Sequence, residues 1–403
     1  MKLKVFFLIF ILFLVKDNNF VKSEYNEIKS NIKSNNDKPI LKFKSDKTFK
    51  IIQFTDLHYG YGGYYDTMTL DSQISILEKE KPDFVMFSGD MISGNLLHFN
   101  QTKIYEYYWD LFTGPLVERK IPWAITMGNH DAEGLLKVDD LIEMDQSFEY
   151  SLTKRGPRNI PGAANYHLKI YSSNSTRNRH DNNSDIHQEE EQFSNNGNKE
   201  NVDVSSFIYI FDSDSKKCDR LDWGCINNGQ VQWFKNISNF NQKKNSISFV
   251  HVPPIEVIDL WNNHDEIEGS FDEPSCCFDD GNSHFVRALL DQGDIRGLYF
   301  GHDHKNDFHG NYKGMDMGYG RKSGFGSYSS KKPLGARIIQ LNEDQQGKNF
   351  IKTWITESNG EVFIQKKPLK KKHYRHRCIL KKSKYHISIF YFFFYFFFFY
   401  HFY

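Results

Sequence analysis

Cysteine is scarce and poorly spaced. The 403-residue chain has five, Cys218, Cys225, Cys276, Cys277 and Cys378, with no C-x-x-C pair, which argues against a zinc ribbon. In an oxidising compartment Cys218 can bridge Cys225, and one of Cys276 and Cys277 can find another partner; an odd count leaves at least one thiol unpaired within the chain. The patterns G-x-S-x-G and G-x-x-x-x-G-K-[ST] are absent as well, so a serine hydrolase and a nucleotide-cradling loop have no support. Net charge is also missing, with 51 basic against 51 acidic residues. That balance hides an asymmetry. Residues 1–23 hold four basic and one acidic residue and residues 366–403 hold ten basic and none acidic, leaving 37 basic and 50 acidic between Glu24 and Gln365, a net charge of −13. Such a body repels nucleic acid, and no nucleic-acid partner is expected.

The N-terminal apolar run is too short to span a membrane. Lys2 and Lys4 precede a stretch from Val5 to Val15, well below the roughly 20 residues that cross a bilayer, and Ser23 fits small-residue cleavage. Residues 1–23 therefore read as a signal peptide, which makes the protein secreted or lumenal. Four N-x-[ST] acceptors, at Asn100, Asn174, Asn182 and Asn236, are those of a secreted glycoprotein. At the other end, 366–384 is a basic segment and 385–403 an aromatic low-complexity tail, SIFYFFFYFFFFYHFY at its close. No charge follows that short run, so it makes a poor anchor, and membrane association through it stays open.

Between these ends lie a polar leader, 24–48, and one domain, 49–365. Residues 172–205 interrupt the domain; they are nearly devoid of core-forming side chains and read as a disordered polar insertion between strands near 166–171 and 207–211. Elsewhere, five short apolar runs stop abruptly at polar clusters. KIIQF precedes Thr55-Asp56-Leu57-His58, FVMF precedes Ser88-Gly89-Asp90, and WAITM precedes Gly128-Asn129-His130-Asp131. SISFV precedes His251, and GLYF precedes Gly301-His302-Asp303-His304. Such runs suit buried strands. Leu70, Ile74 and Leu77, then Ile104, Tyr108, Leu111 and Phe112, recur at helical spacing between them, so the pattern is α/β. Ligands of α/β sheets gather at strand carboxyl ends.

In an extended segment, residues i and i+2 face the same way, so Asp56 with His58, and His302 with His304, each present two donors in one direction. Carboxylate, imidazole and side-chain amide together suit Zn, Mn or Fe better than Ca. Asp303, between the two histidines, points away by the same alternation, toward a supporting role.

The order D-x-H, G-D, G-N-H-D, H, G-H-x-H over residues 51 to about 340 resembles the calcineurin-like metallophosphoesterase superfamily. GDMISG, GAANYHL, VHVPP, GHDHKNDFHG, YGRKSGFGSY and GARII are similar to its purple-acid-phosphatase-like branch of secreted phosphatases. The resemblance implies a four-layer α/β (α+β) sandwich of two mixed sheets flanked by helices, carrying two metal ions. Carried over by position, Asp56, His58, Asp90 and His304 hold one metal and Asp90, Asn129, His251 and His302 the other. Asp90 bridges them. His130 then stands beside the metals as general acid or phosphoryl donor, with Asp131 as its orienter. With only two carboxylates against two divalent ions, the centre favours a bridging hydroxide as nucleophile and an anionic phosphate ester as substrate.

One departure matters. Purple enzymes have a tyrosine ligand three residues after the bridging Asp and D-x-G as first motif, whereas Ser93 and His58 occupy those positions here. A colourless centre is expected. Arg321 is read as a solvated loop residue, with contact to substrate phosphate as its alternative. The function this implies is a secreted dinuclear-metal phosphatase acting on phosphate monoesters. Alternatives are a sphingomyelinase-like phosphodiesterase and a catalytically silent binding protein. Loss of metal ligands would mark the silent one, and all seven are present.

Overall fold

All five apolar runs are strands in the structure, a computed structural model that describes residues 38–176, 204–214, 223–278, 283–346 and 350–374. In chain order the strands are β1 Leu41–Lys42, β2 Thr48–Phe54, β3 Phe84–Ser88, β4 Trp123–Thr126, β5 Tyr166–Tyr171, β6 Val204–Ile210 and β7 Ser246–Phe249. They continue as β8 Ile267–Glu268, β9 Ile295–Phe300, β10 His309–Tyr312, β11 Met315–Tyr319, β12 Gly335–Asn342, β13 Ile351–Glu357 and β14 Val362–Phe363. Among the described residues six α-helices accompany them: α1 Gly63–Glu80, α2 Thr102–Arg119, α3 Val138–Gln146, α4 Asn228–Phe240, α5 Glu256–Asn263 and α6 Phe285–Gln292.

The strands form two mixed sheets. One has eight strands in the order β1-β5-β6-β7-β9-β11-β10-β8, the other six in the order β14-β13-β12-β2-β3-β4. In the second, β2, β3 and β4 run parallel, with β4 at the edge, while β12 is antiparallel to β2. At the centre of the first, β6, β7 and β9 run parallel. Strands covered on both faces read as unbroken apolar runs, and β3, β4 and β7 are buried at every position. The inner faces share one core, in which Ile51, Val85 and Ile125 join Ile208, Ile247 and Phe249. A second core, with Phe234, Leu260 and Leu289, covers the outer face of the eight-stranded sheet with α4, α5 and α6. Helix α1 lies on β12 and β13, with α2 beside it. Helix, sheet, sheet, helix is the expected four-layer sandwich.

Details differ from the sequence reading. The folded body begins before residue 49: Leu41–Lys42 pairs in parallel with β5, and Leu41 and Phe43 are buried. The leader looked polar because only a short apolar stretch, Pro39 to Phe43, anchors it. In α1 the buried face is Asp66, Thr69, Ser72, Gln73, Ile76, Leu77 and Glu80, rotated from the apolar stripe and largely polar. The two acidic groups are spent internally: Asp66 accepts from the Gly60 and Gly62 amides, and Glu80 from Trp354 and Thr356. The basic segment is part of the body through residue 374, where Tyr374 donates to the Phe271 carbonyl and Trp261 to that of Lys372. The expected signal peptide, residues 177–203 of the insertion, Asn182 and the aromatic tail lie outside the described residues. Asn100, Asn174 and Asn236 are exposed. Among the described residues, no helix is long and apolar enough to cross a membrane.

Candidate metal centre

Strands β2, β3 and β4 of one sheet, and β7 and β9 of the other, deliver their polar clusters to one edge of the sandwich. Beyond the strand ends the loops stay knitted together, with Asp56 N–H donating to the Gly89 carbonyl and His58 N–H to that of Asp90. Asp56, His58, Asp90 and His302 all adopt left-handed backbone, at φ 53°, 50°, 53° and 74°. Non-glycine residues rarely hold that conformation, which costs on the order of 1–3 kcal/mol each and persists where surrounding contacts impose it. The glycines of the motifs answer to crowding. A Cβ on Gly128 would sit 2.1 Å from Asp90 Oδ1, and one on Gly89 2.3 Å from His251 Nδ1.

The ligand atoms converge in two groups that share a carboxylate. Asp56, His58, Asp90 and His304 offer atoms within 4.8 Å of one another, and so do Asp90, His251 and His302. His58 Nε2 and His304 Nε2 are 3.0 Å apart, and His304 Nε2 is 3.5 Å from Asp56 Oδ1. Asp90 Oδ2 lies 3.6 Å from His58 Nε2 and 3.2 Å from His251 Nε2.

Whether metals fit can be judged from the donors themselves. Buried Asp90 Oδ2, Asn129 Oδ1 and His251 Nε2 make no hydrogen bond; the close Asp90–His251 approach lacks hydrogen-bond geometry. Buried acceptors or donors left without partners cost about 1–3 kcal/mol each unless something binds them. The imidazoles are also oriented from behind. His251 Nδ1 is hydrogen-bonded to the Ser88 carbonyl at 2.9 Å, His304 Nδ1 to the Tyr328 carbonyl at 2.7 Å, and His58 Nδ1 to Ser93 Oγ at 2.9 Å. A carbonyl demands N–H at Nδ1, which leaves Nε2 to coordinate. The residues fit a dinuclear centre.

For Asp56, Asp90, His58 and His302 the electrostatics agree. Burial raises the Asp56 and Asp90 carboxyls, but His304 beside the first and His251 beside the second override it and hold both below the carboxylate range. Burial lowers His58, and lowers His302 to about 3, which keeps both imidazoles neutral as ligands. Burial also lowers His251, but the Asp90 charge more than reverses this, to about 10. Lys322 is buried, with Nζ 2.8 Å from the Asp56 carbonyl, and burial lowers it to about 8. Nothing in GRKSG singled Lys322 out, because the run reads as a flexible loop.

His130 stands at the mouth, its ring 5.3 Å from that of His58 and its amide donating to Asp90 Oδ1 at 2.9 Å. Asp131 does not orient it. The Asp131 carboxylate is fully buried and accepts from the amides of Asp90, Ile92 and Gly128 at 2.9, 3.1 and 2.8 Å, joining the G-D loop to the G-N-H-D loop. Sequence adjacency suggested a dyad; the turn sends the two side chains in opposite directions. Arg321 is neither solvated nor in reach of substrate by this geometry. It is buried, 2.5 Å from Asp307 and 3.6 Å from Glu357. Asp303 accepts from the Cys276 amide and the Tyr319 hydroxyl. Cys276, His302 and Asp303 form a third close group, but both Asp303 oxygens are thus engaged. Cys225 is disulfide-bonded.

A family model described as calcineurin-like phosphoesterase matches residues 49–306. Over 358 residues the chain is 27% identical to "Probable inactive purple acid phosphatase 28" of Arabidopsis thaliana, covering 78% of this chain and 81% of that protein. Over 291 residues it is 28% identical to "Phosphatase DCR2" of Saccharomyces cerevisiae, covering 64% of this chain and 44% of that one. A solved purple acid phosphatase, PPD1 of yellow lupin, aligns at 13% identity and TM-score 0.45 over 80% of this chain and 53% of its own.

Proposed function

Since the chain belongs to the calcineurin-like phosphoesterase family, we propose that it hydrolyses phosphate monoesters at a dinuclear centre of Fe, Zn or Mn. The observation that carries this reading is the pair of ligand groups sharing Asp90, whose Asp90 and His251 ligand atoms are buried without a hydrogen-bond partner. Asp56, His58, Asp90 and His304 would hold one ion, and Asp90, Asn129, His251 and His302 the other. Two bound ions supply a nucleophile from water near neutral pH and neutralise charge on the phosphoryl oxygens. The chain's own residues do the rest. Ser93, Ser88 and Tyr328 hold the imidazole ligands in register, Asp131 fixes the two loops against each other, and His130 presents its ring where a leaving oxygen departs. Proton transfer from such a residue contributes about 10²–10⁴-fold in rate.

A catalytically silent, metal-binding relative is the second reading, favoured by the word "inactive" in the names of Arabidopsis relatives. Retention of all seven ligand positions supports the active one. Metal analysis with parallel assays on a monoester and a diester decides. Two ions per chain, preference for the monoester and a loss of at least about 100-fold in Asp90→Asn are expected; full activity in that variant would sink the enzyme reading. Export through the secretory route is part of the proposal, supported by the leader pattern at residues 1–23 and the Cys225 disulfide. Recovery of the protein only inside cells, with its first 23 residues intact, would count against it.

A further inference from the structure

On the phosphoesterase reading, His130 must keep a proton on the ring nitrogen that faces the leaving group. A carboxylate does reach this imidazole, from a position the motif does not include. His130 Nδ1 lies 2.7 Å from Glu133 Oε2, three residues along the chain, with the two side chains 34% and 36% exposed. No described hydrogen bond engages Nε2, whereas backbone and Nδ1 are both committed.

We propose that Glu133 is the positioning residue for His130. Its carboxylate accepts from Nδ1–H, sets the plane of the ring and leaves Nε2 as the nitrogen that protonates the leaving oxygen. The turn carrying Glu133 is seated firmly enough for this. Gly94 N–H donates to the His130 carbonyl at 3.1 Å, and Gly134 is so enclosed that a Cβ there would lie 2.1 Å from the Tyr105 hydroxyl. Lys137 Nζ donates to the Gly134 carbonyl at 2.7 Å, fastening the far side of the turn.

The step balances without another reagent. As water-derived oxygen bonds to phosphorus, the bond from phosphorus to the leaving oxygen breaks and its electron pair stays on that oxygen. The Nε2 proton passes to it. Imidazole is left neutral, with Nδ1–H still held by Glu133, and takes a proton back from solvent.

An aryl ester such as p-nitrophenyl phosphate expels a stable anion and needs little proton donation; an alkyl ester such as glycerol phosphate needs it fully. Glu133→Ala is therefore expected to lower kcat on glycerol phosphate about 10–100-fold more than on p-nitrophenyl phosphate. KM and metal content should change little, and Glu133→Gln, which keeps the acceptor, should recover part of the loss. Long-range proton–nitrogen NMR of the His130 ring gives a readout apart from turnover: Nδ1 should lose its fixed proton in Glu133→Ala. Equal losses on both esters, or an unmoved Nδ1 signal, would overturn the role of Glu133. Asp90→Asn run alongside separates the two layers, since full activity there removes the phosphoesterase reading itself and this inference with it.

Discussion

His130 and Asp131 are neighbours in the chain with opposite duties, and their substitution should show it. Asp131 accepts three buried amides, so Asp131→Ala leaves three donors unsatisfied at about 1–3 kcal/mol each. A loss of at least about 3 kcal/mol in unfolding free energy is expected, measurable by denaturant titration. His130→Ala removes a side chain that is one third exposed, so stability should hold while turnover of an alkyl phosphate falls by about 10²–10⁴. The seven ligand positions were readable one by one, because each closes an apolar run. Glu133, Lys322 and the carbonyl of Tyr328 were not, since their contribution depends on what a turn or distant loop brings near.

At the scale of elements, the loop after β11 is where sequence and structure part most clearly. Arg321 in that loop read as solvated, yet it belongs to a buried ion network. Arg321 pairs with Asp307 and Glu357, Lys332 reaches Asp307 at 3.2 Å and Asp272 at 2.6 Å, and Arg337 donates to the Asp307 carbonyl. Burial raises the Asp307 carboxyl, but Arg321 and Lys332 override it and hold it below the ordinary carboxylate value. A carboxyl depressed in the folded state stabilises the protein above its unfolded pKa of about 4, and that contribution disappears as pH falls through the folded pKa. Asp307→Asn should therefore cost about 3 kcal/mol near neutral pH, by stranding a buried Arg321. The gap from wild type should close on acidification, as thermal melts between about pH 7 and about pH 3 would show. A constant gap would mean that the ion pair contributes nothing.

For the whole molecule, the decisive fact is that the two ligand groups draw on both sheets. Asp56, His58, Asp90 and Asn129 follow strands of the six-stranded sheet, and His251, His302 and His304 follow strands of the eight-stranded one. Bound metal would thus tie the two sheets together at the edge where four left-handed residues concentrate strain. A ligand present at about 100 times its Kd adds about 2.7 kcal/mol to stability. Chelation should lower the melting temperature accordingly, and readdition of metal should restore it. A melt indifferent to chelator would show that the centre binds no metal.

What the sequence determined by itself was the set of strands, the side chains at their ends and the family they resemble. These are local facts, since a buried strand needs an unbroken apolar run and a motif is a spacing. Only the tertiary structure decided which carboxylate serves which partner, that α1 buries a polar face, and that Arg321 is an anchor rather than a solvated arm. Some of these contacts join residues far apart, such as Asp90 with Asp131 and Asp56 with Lys322, and the nearer ones, such as Arg321 with Asp307, depend on how the backbone turns, which no local pattern encodes.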